Sequence, residues 1–123
     1  MFTPLDPISP DDAWVAPDGR LSRVAHLWLN VLRLNVRSIA NYTPSIDPAS
    51  VAANTTSEQT FTVAGVQAGD VVLACNKPTH TAGLIVGHAR VSADNEVALT
   101  FANVTAGAID APAETYALVT LRP

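Results

Sequence analysis

Cys75, His80 and His88 are the residues whose side chains could do covalent or metal chemistry, and they fall within fourteen positions. A thiol beside an imidazole is the makings of a nucleophile with its base, provided a third group orients them. As metal ligands the spacing is C-x4-H-x7-H, which lacks both the close pairing and the fourth ligand of a structural zinc site. Each residue also has a plainer role. Cys75 sits in the apolar run "DVVLACNK" (70–77), where a small core residue is expected. His80 lies between two threonines of a loop, and His88 follows Gly87 in a strand pattern. The carboxylates Asp70, Asp94, Glu96, Asp110 and Glu114 fall at strand ends and turns, where solvation and turn chemistry account for them. No phosphate loop or dinucleotide fingerprint occurs, so neither a catalytic site nor a cofactor or metal is expected.

The one charge cluster is Arg20, Arg23, Arg33 and Arg37, in a chain of 123 residues with a formal net charge of −4. An acidic chain with four arginines in one segment gives little reason to expect nucleic acid. These arginines are expected on the rim of an apolar helix, keeping it soluble. Hydrophobic residues make up 48% and charged residues 15%, a balance that suggests surface covered by partners. A single cysteine rules out an intramolecular disulfide and leaves the redox compartment open. The start "MFTPLDPISPDDAW" has no basic region and no apolar core, so a secretory signal is not expected. The longest apolar stretch, 24–36, is too short to span a bilayer and contains Arg33. Asn41, Asn54 and Asn103 open formal glycosylation triplets, read here as by-products of a Thr- and Asn-rich strand sequence.

Four segments must position these residues. Residues 1–18 read as an extended attachment arm, because Pro4, Pro7 and Pro10 recur at the period of a polyproline path. Phe2, Leu5, Ile8 and Trp14 are its expected anchors. Residues 19–40 read as an amphipathic helix, with Asp18 as its N-cap. Arg23, His26, Asn30, Arg33 and Arg37 fall on one stripe, while Leu21, Trp28, Leu32 and Ile39 belong to a wide apolar face. Ala25, Trp28, Leu32, Asn35 and Ile39 form a seam, and Leu27, Val31 and Leu34 a second flank. More than half the circumference is apolar, more than one small domain would cover. Residues 41–48, "NYTPSIDP", read as a linker.

From residue 49 onward Thr, Val and Ala dominate and turn residues recur at short intervals. Strands are expected at 50–56, 58–65, 70–77, 83–93, 96–104 and 114–122, with a bulge at Gly87 and a tight turn at 93–95. Val97, Leu99 and Phe101 alternate with Ala98, Thr100 and Ala102. In the last strand Tyr116, Leu118 and either Val119 or Leu121 are expected to face inward. The fold class is therefore mainly β: an antiparallel β-sandwich or small barrel of six to seven strands over 49–123, preceded by the arm and one α-helix.

Gly65, Gly69-Asp70, Lys77-Pro78, Gly83-Leu84, Ala89-Arg90-Val91-Ser92-Ala93, Asn95, Phe101, Asn103, Ala108-Ile109 and Glu114-Thr115-Tyr116 together resemble a small β module of tailed-bacteriophage virion proteins. The likeness covers about half the chain, and "PDGRLSRVAHLWLNVL" is similar to the aromatic-bearing helix that precedes such modules. The resemblance implies a non-enzymatic decoration, head-fibre or tail-associated component. It would be a homotrimer made in the bacterial cytoplasm and placed on the virion. Its partners would be itself and other virion proteins of the capsid, tail or portal region, with no membrane. On this view Phe2, Leu5, Ile8, Trp14, Leu21, Trp28, Leu32, Arg33, Arg37 and Ile39 carry the assembly contacts. Two rivals remain. One is an adhesion module binding carbohydrate or host surface through loops 77–82 and 106–112, with Tyr116 as the stacking ring. The other is a small enzyme using Cys75 with His80 or His88.

Overall fold

The β-rich part of the chain is organised by one long antiparallel ladder that joins its beginning to its end. In the computed structural model, which describes residues 18–20, 22–35 and 38–123, strand β1 (Ser38–Tyr42) and strand β2 (Ser45–Ile46) are successive parts of one extended segment. Opposite them run β7 (Glu114–Thr115) and β8 (Ala117–Arg122). The register is continuous through the interruption: Tyr42 faces Leu118, Tyr116 donates its N–H to the Pro44 carbonyl (2.9 Å), and Ser45 faces Thr115. Pro44 has no N–H to give to the ladder, which accounts for the break.

Between these ends lie β3 (Thr55–Thr62), β4 (Val71–Asn76), β5 (Leu84–Ala93) and β6 (Glu96–Asn103). The eight strands make three antiparallel sheets, ordered β1–β8–β4, β2–β7 and β3–β6–β5. The fold is thus mainly β with one described helix, α1 (Arg23–Asn35). Contacts divide the chain into two units, Met1–Arg37 and Ser38–Pro123.

The core belongs to the second unit. Ile46, Val51, Val63, Val66, Leu84, Val97, Leu99, Phe101, Ala111, Tyr116 and Leu118 form one buried cluster that draws on all three sheets. Phe61 meets Phe101 edge to face at 6.3 Å, the arrangement ring quadrupoles favour. Alternation in β6 buries Val97, Leu99 and Phe101 as expected; Ala98, on the other face, is buried too.

Several expectations are corrected. The helix is shorter than 19–40: residues from Ser38 pair with β8, so Ile39 is a strand residue opposite Leu121. The segment 41–48 is no linker, because Ile46 is fully buried. Only Val51 of the stretch 50–56 pairs before Thr55, in an isolated bridge to Ile109. The turn with Asn54 at φ 52° separates that bridge from β3. The apolar run of β4 is not a core strand; it lies at a sheet edge with Val71 and Leu73 exposed. In the last strand Thr120, rather than Val119 or Leu121, is the buried residue after Leu118. The described residues form eight strands, because the segment 38–46 pairs with the end of the chain and the ladder they make is split at Pro44. The bulge at Gly87 is present, since the β5–β6 register shifts between Val86 and His88.

Candidate functional site

The helix that should carry assembly contacts begins later than its sequence signal. Gly19 takes φ 81°, a left-handed conformation that ends a local turn in which Arg20 N–H binds Asp18 Oδ1 (3.1 Å). The N-cap is therefore Ser22, not Asp18. Its Oγ accepts Ala25 N–H at 3.2 Å and its carbonyl accepts His26 N–H at 3.0 Å. On α1, Ala25 is buried and Trp28 half-buried, while Leu27 and Leu29 are 54% and 47% exposed. Arg20 and Arg23 are exposed, and the Arg20–Asp18 pair at 3.9 Å lies in open solvent. Leu32 and Arg33 lie on the C-terminal half of α1, and their side chains are outside the described ones. Phe2, Leu5, Ile8, Trp14, Leu21 and Arg37 lie outside the described residues.

Ile39, expected on the helix seam, lies on β1 instead. It leaves the β1–β8–β4 sheet on the side away from the core, 62% exposed. Leu121 is its partner on β8, and Val71, 50% exposed, is the partner of Leu121 on β4. A second outward row runs Asn41, Val119, Ala74. Leu73 is the extra residue where the β4–β8 register shifts and is 53% exposed. The outer face of β3–β6–β5 is unlike this one. There Glu58 and Arg90 form a two-pronged pair at 2.6 and 3.1 Å across Ala98 and Thr100.

Cys75 and His88 both line an open cleft of about 300 Å³ between β4 and β5, along with Val72 and Ala89. They belong to opposite faces of their sheets. Cys75 pairs in register with buried Leu118, and His88 with Thr100 on the outer side. Burial pushes the Cys75 thiol up, and no neighbouring cation opposes that shift. A thiol so placed is protonated at neutral pH, the reverse of what a nucleophile requires. His80 is exposed on its loop. Among the described residues no group of three His, Cys, Asp or Glu side chains is arranged to hold a metal ion. No described helix is long and apolar enough to cross a membrane.

The 77–82 loop proposed for adhesion is tied at its start by an ion pair that the sequence did not reveal. Lys77 Nζ lies 2.6 Å from Glu114 Oε2 with both side chains about nine-tenths buried, and Thr79 donates its hydroxyl to Glu114. Lys77 and Thr79 hold the Glu114 carboxyl below its ordinary range. Tyr116 is fully buried and its phenol is pushed up to about 12, first by burial and then by the Glu114 charge. It is part of the core and offers no ring for stacking. Asp70, read from sequence as a solvated turn residue, is instead gripped by Arg122 through two 2.8 Å bonds, and accepts Gln67 N–H at 2.9 Å. The signal for these pairs lay in three-dimensional proximity, Asp70 and Arg122 being far apart in the chain.

Comparison with known protein families, with curated proteins and with solved structures finds no match to this chain.

Proposed function

We propose that the chain is a non-enzymatic structural component of a tailed-bacteriophage virion. In this proposal it is a trimeric decoration or fibre-type protein anchored to capsid or tail by the residues ahead of β1. Its two three-stranded sheets are the layers of a sandwich, whose inward side chains share the single core. The observation that carries the proposal is the separation of two apolar populations. The β unit completes its core with residues from Tyr42 onward, while α1 holds Leu27 and Leu29 exposed beside a half-buried Trp28. Large apolar side chains that the core does not use are the usual mark of a surface made for partners. The resemblance of the 65–116 landmarks to virion β modules supports the setting.

The test is incorporation into particles. Removing residues 1–17, or placing Leu27→Glu and Leu29→Glu together, should abolish co-sedimentation with virions while leaving the thermal melt of the β unit unchanged. Incorporation of both variants at the wild-type level would overturn the proposal.

A further inference from the structure

We infer that the outer face of the β1–β8–β4 sheet, together with the free edge of β1, is a contact between copies of this chain; this rests on the assembly function proposed above. Two independent observations carry it. The first is charge. The outward positions Ile39, Asn41, Val71, Ala74, Asn76, Ala117, Val119 and Leu121 hold no ionisable side chain, and three apolar residues on this face, counting Leu73, are at least half exposed. The opposite outer face carries Glu58, His88, Arg90 and Glu96. Side chains close to a symmetry axis lie near their own copies, where like charges repel, so an uncharged apolar face suits a self-contact around such an axis better than any other on this unit.

The second observation is how the sheet edges are guarded. Exposed edges invite pairing, and proteins blunt them with charges, prolines, bulges or covering segments. β3 carries Glu58, and the Gln59 amide accepts Ala49 N–H at 2.7 Å and donates to its carbonyl at 2.9 Å, tying a covering segment beside the strand. β4 is bulged at Leu73, and β5 is bulged at Gly87 and charged at Arg90. β1, "SIANY", carries no charge, proline or bulge within its five residues, Pro44 standing just beyond it, and among the described residues β8 is its only strand partner. An edge left plain beside an uncharged apolar face belongs to a surface that is covered in the assembled protein.

The experiment uses the full chain and light scattering across a concentration series. Wild-type protein is expected as a multimer. Ile39→Asp with Val71→Asp should weaken association at least tenfold or leave a monomer. Ile85→Asp, which alters a similarly exposed apolar residue on the other outer face, should leave the mass unchanged. Should the double variant fail to fold, Ile39→Cys in a Cys75→Ser background gives the same answer: a short bis-maleimide should join copies covalently. A double variant with wild-type mass, or no cross-link at position 39, would overturn the sheet contact and leave the virion function standing. A wild-type monomer at every concentration would overturn the contact too. Failure of the virion function is read separately, from co-sedimentation.

Discussion

Replacing Asn103 should unfasten the corner where the core meets its longest loop. Asn103 is 2% exposed and uses both ends of its amide. Nδ2 donates to the carbonyls of Val51 (3.0 Å) and Gly107 (2.8 Å), while Oδ1 accepts the N–H and the hydroxyl of Thr105, each at 2.8 Å. Four bonds at the usual net worth would total about 2–6 kcal/mol. The Val51 carbonyl keeps Ile109 N–H, and the single Thr105 hydroxyl proton, within reach of both Asn103 Oδ1 and the Gly107 carbonyl, can turn wholly to Gly107, so Asn103→Ala should cost the lower part of that range, about 2–4 kcal/mol. For a unit of this size that lowers Tm by roughly 8–30 °C. Asn103→Asp is the sharper variant. It keeps the acceptor for Thr105 but turns a carboxylate toward two carbonyl oxygens. Its folded pKa is then raised above the unfolded value, so the penalty is full at neutral pH and shrinks as pH falls through the folded pKa. Thermal melts by circular dichroism at pH 7 and pH 4 measure both effects. A Tm within 4 °C of wild type for Asn103→Ala, or an Asn103→Asp variant insensitive to pH, would refute this account of the corner. The same geometry makes Asn103 a poor glycosylation acceptor, since its nitrogen is already committed.

Gly83→Ala would drive a Cβ into Thr105 Cγ2 at a φ of 78°, and the Thr105 hydroxyl is pinned by Asn103; a loss of about 2–4 kcal/mol in urea unfolding is expected. Thr105→Ser should restore part of it, and a Gly83→Ala protein as stable as wild type would contradict the close approach. Arg122 holds the Asp70 carboxyl below its ordinary value of 3.8. The stabilisation is therefore full above that value and is lost as pH falls through the folded pKa, so Arg122→Gln should flatten the acid limb of the stability curve, and an unchanged limb would show that the pair does not set it. Tyr116→Phe removes a buried hydroxyl without a protein hydrogen-bond partner and should be neutral or stabilising within about 1 kcal/mol; a loss above 2 kcal/mol would show that the hydroxyl is paired. Cys75 should react with a disulfide reagent at least about tenfold more slowly in the native protein than in denaturant, and equal rates would mean that the thiol is not shielded.

Where two residue periods alternate cleanly, the fold was legible in the sequence. The β5–β6 hairpin follows from Val97, Leu99 and Phe101 on one face and from Asp94-Asn95 at the turn, where Asn95 takes φ 60°. Gly87 announced a register shift because a glycine in a strand rarely packs anything. What the pattern could not supply was pairing over distance. "NYTPSIDP" carries two prolines and reads as a break, yet its register with β7 and β8 never slips. Pro44 removes one donor, and the ladder on either side outweighs that loss. Tertiary pairing likewise overrode the apolar run of β4. Five adjacent apolar residues suggest burial on both faces, but at a sheet edge only Val72 and Cys75 pack against the core, while Val71, Leu73 and Ala74 meet solvent in the single chain.

Ile39 shows how the candidate site was half legible. Helical spacing from Ala25 through Trp28 and Leu32 reaches it, so the sequence assigns it to the same seam. The period changes first: α1 ends at Asn35, and from Ser38 the side chains alternate by two. An apolar residue met at a helical interval and one met on an outward strand face satisfy the same hydrophobicity test, and only the partner across the ladder tells them apart. For Ile39 that partner is Leu121, near the far end of the chain, with Val71 beyond it. From Ser38 onward the apolar residues form a row across three strands rather than a stripe on a helix. A contact built on that row holds each copy through residues from both ends of the chain. It should therefore form only after the end ladder has closed, so that β1–β8 amides gain hydrogen-exchange protection before the protein's mass rises during refolding. Multimers that appear while those amides still exchange freely would mean that assembly begins elsewhere.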